Sequence, residues 1–359
     1  YIMFKIEHNI LKNMKIKNYQ VDSKFKPLMI AEEGQANQGD IKIALQMAKH
    51  ASLANADGIE YQLFTADDMY AKYDEGYAIY KERELEKGEI KTLLEETHQL
   101  GLLSQIAGLS PSIIDLCSSL DADMFVVNAT DLNNPEIIDA VIASGKPFWL
   151  ATLMGSLKEI DWAVEYVLSK NSNNFGLLHG QHVMSGSGGA GVPSEYLQLD
   201  CIKLMENRYE LPIGFVDHTA EKIVPALAIA KGACVVTKHI SPNKNWVGPD
   251  SDICLHPESW KDSKQIFDYS VMANGESKEL SIAELKDKSL FRRSLHTARK
   301  LENGLKLSRN DFVALRPGSE GINPSYIEDL VGQELSVSLE ANVQIKPEYF
   351  KDYKEKKWS

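Results

Sequence analysis

The sequence has few cysteines and no long apolar run. Four cysteines lie far apart in 359 residues, and none forms a CxxC pair, a pattern that favours reduced thiols over a disulfide framework. No apolar stretch approaches the roughly 18–20 residues of a membrane span, and the first residues carry no apolar core of a signal peptide. We therefore expect a cytoplasmic protein without a membrane span.

Positive charge is also scarce. The chain has 39 lysines and arginines against 51 aspartates and glutamates, which gives a formal net charge of −12. This balance argues against a broad nucleic-acid or acidic-membrane footprint, although a few local cations can still bind an anionic substrate. The length exceeds that of one compact domain and suits a barrel of about 250 residues with one small additional module.

Short apolar runs alternate regularly with segments of helical periodicity. Eight such runs occupy residues 28–32, 58–63, 102–107, 124–128, 147–152, 175–179, 213–217 and 234–239. Near-continuous apolar strands separated by helices are typical of parallel sheets covered on both faces, so we predict a closed (β/α)₈ TIM barrel. An open doubly wound sheet is the alternative, but residues 33–39 (EGQANQG) do not match its GxGxxG fingerprint.

Two segments depart from this alternation. Residues 185–191 form a glycine-rich loop after the sixth run, and we leave open whether its backbone N–H groups bind an anion or the loop is only flexible. A polar linker covers residues 273–287. Beyond it, residues 311–315 and 334–339 alternate like strands, with proline and glycine turns between them, which predicts a small β-rich module.

Polar side chains collect at the ends of the predicted strands, where TIM barrels carry their chemistry. They are Glu32, Glu33, Glu60, Gln62, Gln105, Asn128, Thr152, His179, His182, Asp217, His218, Lys238 and His239. Four of the nine histidines belong to this set and follow three adjacent strands. Convergent imidazoles with a carboxylate typically bind a divalent metal, so we predict a metal site with His218 and His239 as its leading candidates.

Successive residues of a strand point to opposite faces, which limits how these side chains combine. Lys238 and His239 should not face the same way, and Lys238 is either a cation for an anionic substrate or a lysine extending between the helices. Glu32 and Glu33 should likewise face opposite sides of their strand. One of them should point into the barrel as a hydroxyl binder or base.

Seven short motifs, in this order, resemble the N-acetylneuraminate (sialic acid) synthase family from about residue 14 to about residue 337. They are MIAE at 29–32, DHT at 217–219, KH at 238–239, GPD at 248–250, RRSL at 292–295, LRPG at 315–318 and GINP at 321–324. The resemblance implies a TIM barrel followed by a small β-rich antifreeze-like (SAF-type) domain. It implies a metal-dependent enzyme, using Mn²⁺ or Mg²⁺, that condenses phosphoenolpyruvate with an acylamino sugar. We expect an N-terminal extension and hairpin at 1–27, the barrel at 28–272, a linker at 273–295 and the C-terminal domain at 296–359.

The same resemblance implies roles for individual residues. His218 and His239 would bind the metal, while Glu32, Asp217 and Lys238 would belong to the catalytic site. Arg316 would reach from the C-terminal domain of one subunit to the sugar in the barrel of its partner, which implies a domain-swapped homodimer. By their position at strand ends we add a set of expected substrate-binding residues: Glu60, Gln62, Thr152, His179 and His182.

Two departures from the family pattern leave the reaction open. The lysine of the family's VKFQ motif is Glu60 here, and that of its YKI motif is Val126, so both cations expected beside phosphoenolpyruvate are absent. An acid at such a position should repel a phosphate. We therefore keep a metal-dependent sugar aldolase, lyase or isomerase that does not use phosphoenolpyruvate as the alternative. A non-catalytic sugar-binding relative is a further one, against which the retained His218, His239 and Arg316 argue.

Overall fold

The computed structural model describes residues 14–21, 26–183, 191–275, 277–351 and 353. The chain divides into two compact units, Tyr1–Gly275 and Glu276–Ser359. Of the predicted glycine-rich loop, only Gly191 is among the described residues, so the two interpretations of that loop stay open. The residue-level domain boundaries given above likewise stay a prediction.

Eight parallel strands form a closed barrel in the first unit, which confirms the predicted fold. They are β3 (Leu28–Gly34), β4 (Gly58–Leu63), β5 (Leu103–Gly108), β6 (Met124–Val127), β7 (Phe148–Ala151), β8 (Phe175–Gly180), β9 (Ile213–Asp217) and β10 (Val235–His239). Each strand pairs with the next in the chain, and β10 pairs with β3 to close the barrel. Every residue of these strands is buried except Gln62, as expected for a parallel sheet covered on both faces.

Helices connect the strands. In the first unit they are α1 (Ile41–Leu53), α2 (Ala66–Met69), α3 (Glu75–Glu82), α4 (Lys87–Gln99), α5 (Pro111–Ser119), α6 (Pro135–Ala143), α7 (Leu157–Ser169), α8 (Cys201–Tyr209), α9 (Val224–Ala230) and α10 (Pro257–Ala273). Local sequence explains several starts: Asp40 caps α1, Ser156 and Glu159 form a capping box on α7, and proline opens α5, α6 and α10. Among the described residues, no helix is both long and apolar enough to cross a bilayer.

Strand alternation separates two apolar cores. Outward residues such as Ala31 and Phe215 pack against the helices, and inward residues such as Leu178 and Trp149 fill the barrel. A short hairpin, β1 (Met14–Ile16) with β2 (Tyr19–Val21), adds three buried side chains to the inner core and thereby covers the N-terminal end of the barrel. The polar side chains therefore lie at the opposite end of the barrel, where the carboxyl ends of the strands are.

The second unit is small and has its own core. It contains α11 (Ile282–Phe291), β11 (Ser294–Thr297), β12 (Phe312–Leu315) and α12 (Ile327–Leu330), and β11 pairs antiparallel with β12. The predicted strand at 311–315 is confirmed. The one at 334–339 is wrong, because Glu334, Leu335 and Leu339 form only single bridges to three different segments, so no continuous ladder develops. The cluster around Leu295, Leu301 and Ile345 still buries its apolar side chains.

Candidate metal centre

Glu32, His218 and His239 meet at the carboxyl ends of three neighbouring strands. One potential ligand atom from each lies within 4.8 Å of the others, and all three side chains are buried. Barrel closure produces this meeting, since β10 lies between β9 and β3 and its register sets His239 opposite Glu32. Two imidazoles and one carboxylate are a donor set that divalent transition metals favour.

Hydrogen bonds orient two of these three side chains. The Nδ1–H of His218 donates to the carbonyl oxygen of Gln181 at 2.9 Å, so its Nε2 carries the free lone pair. The amide of Gln62 donates to Oε1 of Glu32 at 3.1 Å. Fixing a ligand through its other polar atom is how proteins orient metal-binding groups.

Several buried atoms of the cluster have no hydrogen-bond partner among the described residues. They are Oε2 of Glu32 and both ring nitrogens of His239, with 3.4 Å between Glu32 Oε2 and His239 Nε2. Buried polar atoms are rarely left unpaired, because each costs about 1–3 kcal/mol. A divalent cation would satisfy the carboxylate and imidazole atoms together, so the residues present fit such an ion.

Burial keeps both imidazoles uncharged. Desolvation lowers the pKa of His218 to about 3, with a further contribution from His239, and lowers that of His239 to about 4. Desolvation also raises the pKa of Glu32, while His218 and the Gln62 hydrogen bond oppose that rise. Neutral imidazoles are the protonation state that metal binding requires.

Gly34 leaves room for the ring of His239. It has a φ of +61°, and a Cβ at this position would lie 3.2 Å from Cε1 of His239. The register of β3 against β4 shifts between Glu32 and Gly34, so the strand bends where it reaches the cluster. A side chain here would be strained and would press on a candidate ligand.

Carboxyl and amide groups line the barrel beside the cluster. Gln105 donates a short hydrogen bond to Glu60 and a longer one, at 3.5 Å, to the hydroxyl of Thr237. Burial raises the pKa of Glu60 well above its usual value, and the nearby charge of Glu32 raises it further. The inward positions of the eight strands, all of them described, include Glu32 and Glu60 but no lysine or arginine. This part of the barrel offers hydrogen bonds rather than positive charge.

Asp217 and Lys238 face outward, away from the cluster. Both are fully buried, and Nζ of Lys238 lies 3.1 Å from Oδ2 of Asp217. The ammonium also donates to the carbonyl of Thr219, while the N–H of Thr219 donates to Oδ1 of Asp217 at 2.9 Å. The predicted catalytic pair therefore joins the strand ends that carry His218 and His239, and does not reach the space between them.

The remaining predicted residues lie in different surroundings. His179 faces the helical layer, with its Nε2–H donating to the carbonyl of Gln198 at 3.1 Å, and Thr152 donates to the carbonyl of Leu178 at 2.9 Å. His182, by contrast, packs against His218 with 5.4 Å between ring centroids. Arg316 belongs to the second unit, where its guanidinium stacks over Phe291 at 5.6 Å. The cluster thus gathers Glu32, His218 and His239, with Gln62, Glu60 and His182 as neighbours.

Some of these contacts were not predicted from the sequence. The carbonyl of Gln181 orients His218, and the indole N–H of Trp260 donates to the carbonyl of Lys238 at 3.1 Å. Gln35 reaches Gln62 at 3.4 Å and extends the network that fixes Glu32. Every residue has a backbone carbonyl, so the residue type does not tell which carbonyl accepts a hydrogen bond. Gln35, however, lies in the loop directly after the first strand, where a polar contact to the site was to be expected.

Comparisons with known proteins agree with this architecture. A protein-family model described as the NeuB family matches residues 29–278, and one described as the SAF domain matches residues 292–351. An N,N'-diacetyllegionaminic acid synthase of Legionella pneumophila is 29% identical over 338 residues, covering 88% of this chain and 92% of its own length. A pseudaminic acid synthase of Helicobacter pylori is 23% identical, covering 89% and 96%.

Solved structures show the same fold. The crystal structure of an N-acetylneuraminic acid synthetase from Leptospira borgpetersenii superposes with a TM-score of 0.70 at 23% sequence identity, covering 78% of this chain and 96% of that one. At such identity the likeness establishes the fold alone.

Proposed function

Because this chain belongs to the NeuB family, whose model matches residues 29–278, we propose that it is a synthase of a nonulosonic sugar acid. Relatives that span nearly its whole length are named legionaminic and pseudaminic acid synthases, and their names imply that this chain is an enzyme acting on a small sugar. The proposed reaction forms a carbon–carbon bond between phosphoenolpyruvate and an acylamino sugar, consumes one water and releases phosphate. The observation that carries the proposal is the buried cluster of Glu32, His218 and His239 at the catalytic end of the barrel.

The proposed centre holds a divalent metal through His218, His239 and Glu32. The ion, when bound, would act as a Lewis acid toward the carbonyl group of the sugar. We favour Mn²⁺ or Mg²⁺, the metals implied by the resemblance. The chain's own contribution is orientation: Gln181 fixes the ring of His218, and Gln62 fixes Oε1 of Glu32. Oε2 of Glu32 would then be the oxygen that binds the metal or a sugar hydroxyl.

Phosphate release tests this function directly. Protein freed of metal and then loaded with Mn²⁺ should release phosphate from phosphoenolpyruvate only when an N-acylated aldose is supplied. The variants His218→Ala and His239→Ala should lose this activity, because each removes a proposed metal ligand. Phosphate release that persists in both variants would show that the reaction does not depend on this cluster.

A second function is favoured by Glu60 and Gln105. The inward positions of the described strands carry no lysine or arginine, and Glu60 lies beside Glu32. A metal-dependent sugar aldolase, lyase or isomerase needs no cation for phosphoenolpyruvate and would use these groups to bind hydroxyls. A non-catalytic sugar-binding relative would have no need of a buried cluster of potential metal ligands, so the cluster of Glu32, His218 and His239 argues against it.

Substitution of Glu60 separates the first two functions. Burial and the nearby charge of Glu32 raise the pKa of Glu60 well above its usual value. Glu60→Gln keeps a side chain of the same shape without an ionisable group and is the neutral control. Glu60→Lys should strengthen binding at least about tenfold if the phosphate lies beside this position. Two unit charges about 4 Å apart attract each other by about 4 kcal/mol at an effective dielectric of 20, and desolvation of the buried lysine offsets part of that gain. If calorimetry detects phosphoenolpyruvate binding to none of the three proteins, the synthase gives way to the second function.

We also propose the cytoplasm as the compartment and a homodimer as the assembly. None of the four cysteines, all of which lie among the described residues, forms a disulfide, which suits a reducing environment. The dimer rests on the family resemblance, which assigns Arg316 of one subunit to the sugar bound by its partner.

A further inference from the structure

His182 lies beside the candidate metal centre, in contact with the ring of His218. It follows the end of β8 by two residues, and its side chain is exposed. Its ring stands edge-on to that of His218, at 77° and with 5.4 Å between centroids, and the ring of His218 is in turn 5.2 Å from that of His239. Among the described residues, His182 makes no hydrogen bond or ion pair.

The backbone at this point is tied to the cluster. The carbonyl oxygen that accepts the hydrogen bond of His218 belongs to Gln181, the residue before His182. The contact that aims Nε2 of His218 therefore also fixes where the main chain presents His182. Three imidazoles from the ends of three adjacent strands thus follow one another at 5.4 Å and 5.2 Å between ring centroids, and two of them, those of His218 and His239, meet the carboxylate of Glu32.

We propose that His182 is a fourth protein ligand of this metal centre, which becomes a three-histidine, one-carboxylate site when the ion binds. This rests on the metal centre of the proposed function and goes beyond it in the ligand set. The ligand atoms within 4.8 Å of one another come from Glu32, His218 and His239, so His182 must turn inward. Its exposed side chain is free to change between staggered rotamers, and such a change moves a ring nitrogen by several ångströms.

A third imidazole changes which ion the centre prefers. Imidazole nitrogen favours Co²⁺, Ni²⁺ and Zn²⁺, whereas Mg²⁺ prefers oxygen ligands and retains its waters. Four protein ligands on a six-coordinate ion leave two positions, enough for two oxygen atoms of a substrate. His182 should therefore strengthen Co²⁺ binding much more than Mg²⁺ binding.

Metal competition tests this assignment in the full chain. Metal-free wild-type protein, His182→Ala and His179→Gln are titrated with Co²⁺ and with Mg²⁺ against a chelator, and the visible spectrum of bound Co²⁺ is recorded. Loss of a group that merely supports a ligand typically costs 10–100-fold in affinity, so His182→Ala should weaken Co²⁺ binding at least about tenfold and leave Mg²⁺ binding nearly unchanged. Free imidazole should restore the wild-type spectrum.

His179→Gln is the matched control. His179 ends the same strand but faces the helical layer, and glutamine retains a donor for the carbonyl of Gln198. It should behave as wild type in both readouts. Since His182 is exposed, its loss should not unfold the chain, and a melting curve verifies this.

The remaining outcomes overturn the proposal at different levels. If His182→Ala binds Co²⁺ as wild type does, with the same spectrum, while His218→Ala binds none, the fourth ligand is excluded and the centre stands. If wild-type protein binds no Co²⁺, the metal centre of the proposed function fails, and the role of His182 fails with it.

Discussion

At the scale of single residues, the protonation of His218 and His239 decides what the site can bind. Burial lowers the pKa of His218 to about 3 and that of His239 to about 4. In the folded protein the two imidazoles therefore stay neutral at pH values far below the usual pKa of histidine. An unfolded chain gains these protons near pH 6.5. The folded state therefore loses stability as pH falls through the window between about 6.5 and the folded pKa values.

This linkage predicts a steeper acid loss of stability in wild type than in His218→Gln. Each imidazole contributes a loss of up to about 1.4 kcal/mol per pH unit in this window, and the variant retains only one of the two. Denaturant unfolding of metal-free protein at about pH 7 and about pH 5 measures the difference. Equal losses in the two proteins would mean that His218 is already protonated, or solvated, in the folded state.

The sequence specified the candidate ligands better than the orientation of their neighbours. Alternation along a strand predicts that Lys238 and His239 face opposite ways, but it does not say which of them faces inward. Closure of the barrel decides this: His239 lies opposite Glu32, and Lys238 pairs with Asp217 in the outer layer. The roles that we predicted for His179 from its strand-end position and for Lys238 from the family resemblance remain predictions, and both residues contact groups outside the cluster.

At the scale of elements, the ion pair of Asp217 and Lys238 holds β9 and β10 together next to the ligands. Both side chains are fully buried, and their hydrogen bonds to Thr219 fix the turn that follows His218. The pair therefore positions the strand ends. A buried charge that loses its partner is strongly destabilising.

We predict that Lys238→Met lowers the free energy of unfolding by about 3–5 kcal/mol, because it leaves Asp217 buried and unpaired. The double variant Asp217→Leu, Lys238→Met should recover part of that loss, since no charge remains uncompensated. Both should also weaken Mn²⁺ binding, because the strand ends are less firmly held. Denaturant unfolding and calorimetry measure the two effects. Full stability in Lys238→Met would contradict the assignment.

Elements with strong periodicity were predictable, and short ones were not. Short, near-continuous apolar runs located all eight barrel strands, since each strand is covered on both faces. The short helices α2 and α3 were missed because two turns or fewer carry no usable period. The strand predicted at 334–339 failed for a tertiary reason, because its residues contact three different partners.

At the scale of the whole molecule, closure of the barrel brings residues of its first and last strands together in the site. Glu32 lies near the end of the first strand of the barrel and His239 ends the last, with more than two hundred residues between them. Only when β10 pairs with β3 do the two side chains meet. We therefore expect metal binding to stabilise the closed barrel, because an ion that binds only the folded state shifts unfolding to higher temperature.

The proposed dimer predicts complementation between two inactive variants. His218→Ala lacks a metal ligand, and Arg316→Ala lacks the arginine assigned to the partner's sugar. In a mixed dimer, one of the two sites combines an intact barrel with an intact arginine. Mixed and refolded together, the variants should recover up to roughly a quarter of wild-type activity if subunits pair at random. An inactive mixture that is dimeric by light scattering would exclude the shared site.

The central claim is that the cluster of Glu32, His218 and His239 serves a phosphoenolpyruvate-dependent synthase. Calorimetric titration of phosphoenolpyruvate into Mn²⁺-loaded protein tests it most directly. We predict binding with a dissociation constant in the micromolar range, abolished when His218 and His239 are both replaced by alanine. Bound Mn²⁺ with no heat from phosphoenolpyruvate would contradict the synthase and leave a metal-dependent sugar enzyme of another reaction class.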